Sequence, residues 1–298
     1  MENLYRHLYN MNSISAASEL VLAPDNSLYH LRLHNNELAN NVILVGEPSR
    51  VKTISDKFDT LTLIRENRGL ITHCGTYKGK PVSVVATGMG IGNIDIVLTE
   101  LDAAANINLK TREINPEIQA LNLVRIGTCG SMQAEIACNQ YVASQYVIGI
   151  DGGFNFYGCK GVSDEVLSNN FIDFMRWDER FAKPYGVEAS SSLLESIAYD
   201  MHKGITITAP GFYAAQGRRL RLPLFDSSIN DRLPLFSYKG IPIVNYEMEA
   251  SLTYALGKAL GHSVLTVCNV VANRASGEFV DDYAQSMNGL IEMVLERI

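Results

Sequence analysis

Apolar residues fall into two patterns along this chain: short runs rich in β-branched residues, and longer segments in which they recur every three or four positions. The short runs predict strands over Val42 to Val45, Val82 to Ala86, Leu121 to Ile126, Tyr141 to Ile148, Ile205 to Thr208, Ile241 to Asn245 and Val264 to Val271. Several are apolar on both faces, as a sheet covered on both sides requires. The longer pattern predicts helices over Asn93 to Asn106, Ser191 to His202, Glu249 to Leu260 and Asp281 to Ile298, the last opening on acidic residues that suit a helix N-terminus. Strands alternating with helices describe an α/β protein with a mostly parallel sheet. Between Gly211 and Lys239, in "GFYAAQGRRLRLPLFDSSINDRLPLFSYKG", no steady period survives, which predicts a long functional loop, with or without a short helix. There is no repeat and no low-complexity linker, so the reading is one domain preceded by an N-terminal extension over residues 1–25.

Composition narrows the partners. At 298 residues and 47% apolar the chain can bury a sizeable core. A formal charge of −7 argues against general affinity for nucleic acid or an anionic membrane, both of which want a basic face, so an anionic ligand would need a local cluster of arginines. The five cysteines are odd in number and lack zinc-site spacing, which fits reduced thiols in a cytoplasm. No apolar run approaches the roughly 20 residues of a membrane span, the start "MENLYRHLYNMNS" lacks the order of a secretory signal, and no histidine and carboxylate cluster predicts a metal.

Three segments are expected at strand ends, where open α/β sheets bind ligands: "VGEPSR" (45–50), "TGMGIGN" (87–93) and "RIGTCGS" (125–131). Together they offer backbone N–H groups, hydroxyls and the guanidinium forks of Arg50 and Arg125, a donor set suited to a phosphate dianion. The alternative is that the glycines serve only as tight turns and the arginines as surface pairs. A dinucleotide site is disfavoured, because the spacing is not G-x-G-x-x-G and no acidic residue closes the next strand. "NYEMEAS" (245–251) places two carboxylates around a methionine where strand gives way to helix. Either something receives those oxygens or they answer the helix dipole.

"GEPSR", "TGMGIGN", "RIGTCGS", "NYEMEAS" and "VVANR" (270–274), in that order, resemble the nucleoside phosphorylases of the purine and uridine phosphorylase family, from about His30 to the C-terminus. The resemblance implies a single α/β domain with a twisted, mixed central β-sheet flanked by helices, and phosphorolysis of a nucleoside to ribose 1-phosphate and free base. It lays Gly46, Arg50, Arg125 and Thr128 on the phosphate ligands, with Arg68 lent across a dimer interface. It lays Glu249, Met248 and, less directly, Glu247 on the ribose, with His30 reaching a neighbour's 5′-hydroxyl. The minimal unit would be a homodimer, alone or within a hexamer.

For the base, Gln216 and Arg218 form a Gln-x-Arg pair that resembles the uridine phosphorylases, with Phe212 stacking on the ring. Near the late strand, where purine members tend to carry an aspartate that helps protonate the leaving purine, this chain reads Asn273-Arg274, similar to the Asn-Arg of the uridine enzymes. The implied catalytic set is Arg125, Gln216, Arg218 and Arg274, with no cofactor, inorganic phosphate as co-substrate, uridine as substrate and a place in pyrimidine salvage. The alternatives are a purine nucleoside phosphorylase, a nucleosidase of the same fold, or a non-catalytic nucleoside-binding homologue. Two features depart from the pattern: Glu47 stands where the family usually has aspartate, and Cys129, beside the phosphate loop, is assigned to packing.

Overall fold

Strand β1 (Asn41–Val45) shows why the sheet is covered on both faces, for Val42 and Leu44 join one core cluster while the alternating Ile43 and Val45 join another. The computed structural model describes residues 16–298; residues 1–15, which hold "MENLYRHLYNMNS" and the first part of the expected extension, lie outside the described residues. After β1 come α1 (Pro48–Ser55), β2 (Thr60–Asn67), β3 (Leu70–Tyr77), β4 (Lys80–Ala86), α2 (Ile91–Asn106), the short pair β5 (Ile107–Asn108) and β6 (Glu113–Ile114), β7 (Asn122–Ser131) and β8 (Tyr141–Gly149). The second half runs α3 (Glu165–Met175), β9 (Tyr185–Glu188), α4 (Ser191–Ile197), β10 (His202–Thr208), α5 (Ile229–Arg232), β11 (Ser237–Tyr238), β12 (Ile241–Glu247), α6 (Ala250–Ala259), β13 (Ser263–Asn273), β14 (Glu278–Phe279) and α7 (Ala284–Arg297).

Twelve of the strands form one mixed sheet. In its middle, β7 and β13 are parallel, β13 and β8 antiparallel, and β8, β10 and β12 parallel in turn. The last strand then returns to the first, because Asn245 and Tyr246 of β12 pair with Ser131 and Gly130 of β7. These five strands close a ring, and β1, β4, β3 and β2 extend from it as an open wing. Helices α2 and α6 cover one face through Leu98, Leu101, Leu252 and Leu256, and α1 and α7 cover the other through Val51, Ile54, Leu290 and Val294. Among the described residues no helix is long and apolar enough to cross a membrane.

The structure corrects the sequence reading in several places. "RIGTCGS" does not follow a strand; it lies inside β7, which runs on to Ser131 because it pairs with both β13 and β12 there. The helix expected over Ser191 to His202 stops at Ile197, and His202 opens β10. The C-terminal helix begins at Ala284, so the acidic residues Asp281 and Asp282 precede it. The hairpin wing β2–β3–β4 was foreseen only in β4. β2 is mostly exposed and has little apolar alternation to read. Its turns are two-residue turns with positive φ at both positions, Arg68–Gly69 and Lys78–Gly79, which suit the right-handed twist of a hairpin.

Candidate active site

The ring closure between β7 and β12 sets the position of everything that follows. It brings "RIGTCGS" against "NYEMEAS", and beside that seam opens a cavity of about 690 Å3. Its lining includes Gly46, Arg50, Arg125 and Thr128, then Glu247, Met248 and Glu249, then Phe212, Gln216, Arg218 and Arg274. Eleven of the thirteen residues singled out in the sequence therefore meet in one chamber. His30 and Arg68 are the exceptions. They gather on another part of the surface, where the Arg68 guanidinium donates to the Tyr29 hydroxyl at 2.7 Å and His30 Nδ1 lies 2.7 Å from a Glu100 oxygen.

At one end stand two arginines. Arg50, in the first turn of α1, is buried and donates to the Ile126 carbonyl at 3.3 Å. Burial, with the nearby Arg125 charge, lowers its pKa. Glu47, the departure from the family pattern, caps α1 by accepting from the Ser49 N–H at 3.4 Å and also lines the cavity. Arg125 is fully enclosed. Burial works against its charge, but the carboxylates of Glu249 and Glu247 outweigh that and raise its pKa.

The carboxylates are unequal. Glu249 holds Arg125 Nη2 with one oxygen and accepts from the Gly90 N–H at 2.6 Å with the other. Glu247 lies farther from the guanidinium, 3.4 Å from Nη1. One of its oxygens accepts from the N–H groups of Glu249 and Ala250, both at 2.8 Å, and the other from the Thr208 hydroxyl. Burial pushes Glu247 up to about 7, with Glu249 adding to the shift and Arg125 opposing it. The closer carboxylate takes the cation, and burial pushes the second toward its protonated form.

The other end carries polar groups on an aromatic wall. Arg218 stacks on Phe212 with its guanidinium 3.7 Å from the ring centre, and it donates to Gln216 Oε1 at 2.6 Å. Arg274 approaches the same oxygen at 3.4 Å and lies over the Tyr246 ring at 5.3 Å. Burial, reinforced by the Arg274 charge, brings Arg218 down to about 10, so it remains a cation at neutral pH. Among the described residues the buried Tyr246 hydroxyl and the Nε of Arg274 have no hydrogen-bond partner. Buried polar atoms of this kind want a ligand or water.

Tyr246, Phe279 and Tyr283 also line the cavity and were not singled out in the sequence. Tyr246 lay inside a quoted motif, and an aromatic ring between the polar Asn245 and Glu247 at the end of a strand was the available signal. Phe279 and Tyr283 sit in the turn and short strand before α7, which the pattern had partly assigned to helix. Cys129 lines the cavity as well, and burial pushes its thiol well above the ordinary value, with Cys268 beside it acting the same way. A thiol held protonated is a poor nucleophile.

The sequence pattern of the phosphorylase superfamily matches residues 41–298. The chain belongs to this superfamily. Within the phosphorylase superfamily it is similar to the uridine phosphorylase of Thermococcus kodakarensis, 28% identical over 257 residues that cover 84% of this chain and 79% of that one. It is also similar to the DeoD-type purine nucleoside phosphorylase of Clostridium novyi, 30% identical over 250 residues, 84% and 89% of the two chains. A solved Trypanosoma brucei nucleoside phosphorylase, described as showing uridine phosphorylase activity, matches with a TM-score of 0.84 at 27% identity, over 93% of this chain and 98% of that one. The chain thus has the single-domain nucleoside phosphorylase fold and is a pentosyl-transferring enzyme of the phosphorylase superfamily. The relatives' names divide between a pyrimidine and a purine nucleoside.

Proposed function

We propose that the protein is a uridine phosphorylase, which splits uridine with inorganic phosphate to give uracil and ribose 1-phosphate. The observation that carries the choice of base is the convergence of Gln216, Arg218 and Arg274 at one end of the cavity. An imide edge offers two carbonyl oxygens flanking an N–H, and the two guanidinium groups and the amide supply donors for those oxygens. Asn273 does not serve as a purine-protonating group in this reading, since its amide already donates to the carbonyls of Gln133 and Ile136 at 3.0 and 2.9 Å.

In the reaction, a phosphate oxygen forms a bond to the anomeric carbon as the bond from that carbon to the base nitrogen breaks. The electron pair leaves with the base and spreads onto its oxygens. Arg50, Arg125, Thr128 and Gly46 hold the phosphate, Glu249 accepts from the ribose hydroxyls with Met248 against the sugar, and Arg218, Arg274 and Gln216 stabilise the departing anion. The donors sit in fixed places where charge develops, so they favour the transition state over bound substrate. The high Cys129 pKa and the absence of a need for a covalent intermediate leave the thiol a packing role. His30 and Arg68, clustered on one surface, support a homodimer in which a second copy completes each cavity.

A second reading, phosphorolysis of a purine nucleoside, is favoured by the identity to the Clostridium novyi enzyme. Product analysis with uridine, thymidine, inosine and adenosine, each with and without phosphate, separates the two. Free uracil that appears only when phosphate is present supports the proposal. Hypoxanthine or adenine as the main product overturns the base assignment, and phosphate-independent release of base points instead to hydrolysis.

A further inference from the structure

Behind the sugar-facing carboxylates lies a polar cluster that the proposed chemistry does not use. Asp151, just after β8, accepts from the Ser251 hydroxyl at 2.6 Å with one oxygen. Its other oxygen accepts from the Gly153 N–H at 2.7 Å and the Tyr185 hydroxyl at 2.8 Å. No arginine or lysine pairs with it among the described residues, where these three groups are its hydrogen-bond donors and the Tyr185 hydroxyl also lies 3.0 Å from Ser251 Oγ. Space has been cleared for the arrangement: a Cβ on Gly149 would stand 2.6 Å from an Asp151 oxygen and 2.5 Å from the Tyr185 ring.

Ser251 is the link to the cavity. It sits in the first turn of α6, two residues past Glu249, and its backbone N–H donates to the Thr208 hydroxyl oxygen at 2.9 Å. That hydroxyl in turn donates to Glu247, whose second oxygen accepts from the N–H groups of Glu249 and Ala250. The start of α6 is therefore pinned twice at one residue, by its backbone to β10 and by its side chain to Asp151. No side-chain cap is made at this helix start by Glu249, whose carboxylate instead faces Arg125 and Gly90.

We infer that Asp151 is a positioning residue that acts through Ser251 to aim Glu249 at the sugar, reaching the phosphate end of the cavity only indirectly, through the Glu249–Arg125 pair. The inference rests on the proposed reading that Glu249 receives the ribose hydroxyls. The phosphate end is built on α1 and β7, neither of which contacts Asp151 through a hydrogen bond, so the two ends of the cavity should respond differently to its loss. Misplacement of a binding group by a fraction of an ångström is enough to cost affinity on the order of tenfold.

The test is calorimetric titration of ribose 1-phosphate and of inorganic phosphate into the full chain and its Ser251→Ala, Asp151→Ala and doubly substituted variants. Ser251→Ala removes only the hydroxyl and keeps the helix former, so it stands in if Asp151→Ala folds poorly. The expected result is a loss of ribose 1-phosphate affinity of about tenfold in each single variant, inorganic phosphate unchanged within about twofold, and a double variant no weaker than Asp151→Ala alone, since both changes break one linkage. Ribose 1-phosphate binding that survives intact in the single variants, or equal losses for both ligands, overturns the inference. A wild-type chain that binds neither ligand overturns the reading of the cavity itself, which separates the two failures.

Discussion

At the residue scale, the site is governed by one shared cation. Arg125 has two carboxylates within reach, takes Glu249 as its close partner and leaves Glu247 to its own burial. This predicts a pH signature. Glu247 keeps its proton to about 7 in the folded protein, against an ordinary value of 4.5. Between those values the native state binds more protons than the unfolded chain, so this group's contribution to stability is largest at the acid end and fades as pH rises. Glu247→Gln is uncharged throughout. Denaturant midpoints measured from about pH 5 to pH 8 should show the variant gaining on the wild type as pH increases, and a constant gap would contradict the shift.

The same scale predicts the kinetics. Arg218→Ala should lower turnover of uridine by about a hundredfold, in the range found when one charge-stabilising donor is removed, with the melting temperature little changed because the side chain stacks on a half-exposed ring. Glu249→Ala should raise KM for the nucleoside far more than KM for phosphate. Steady-state rates and thermal melts of the two variants check both. Most of these residues were legible in the sequence because their motifs carry glycines and charges into apolar surroundings. The upward shift of Glu247 was not legible, since it depends first on complete burial and then on a distance of 3.4 Å from one guanidinium.

At the scale of elements, the buried strands and helices were readable because burial on both faces leaves a continuous apolar run. The wing was not, because β2 lies at an edge and is mostly exposed. Nor was the extension of β7 through "RIGTCGS", since only long-range pairing to β12 and β13 makes those glycines strand. The aperiodic segment from Gly211 to Lys239 fulfilled its expectation. It holds a short turn of helix at Ala214–Gln216, the four-residue α5 and β11, and it is tied at one point by Asn230 donating to the Gln216 carbonyl at 3.1 Å.

Helix α6 offers a test of packing against propensity. A Cβ on Gly257 would stand 2.2 Å from a methyl of Val264. Alanine is the better helix former by about 1 kcal/mol, but overpacking a tight core costs about 1–3 kcal/mol. Gly257→Ala should therefore destabilise the protein on balance, by about 1 kcal/mol, read as a lower denaturant midpoint. A stabilised variant would show that the helix can move off the sheet.

At the scale of the whole molecule, a five-stranded ring and an open wing divide the labour. The ring closure brings "RIGTCGS" and "NYEMEAS" together at one seam, the segment after β10 lays Phe212, Gln216 and Arg218 over it, and the end of β13 adds Arg274. An acidic chain thus concentrates Arg50, Arg125, Arg218 and Arg274 around one chamber, where an anion and a departing base would both find cations. The wing carries Arg68 near His30, on a surface of its own, where the proposed homodimer would bring them to a second copy's cavity. Within the family the fold is settled, and the choice of base is the open question that the chamber's far end is proposed to answer.

The most direct measurement is a crystal structure of the protein with inorganic phosphate and uridine. The proposal predicts phosphate between Arg50 and Arg125, the ribose diol on Glu249, and uracil on Phe212 with its carbonyl edge toward Gln216, Arg218 and Arg274. Phosphate bound elsewhere, or a base whose carbonyls turn away from those three side chains, would contradict it.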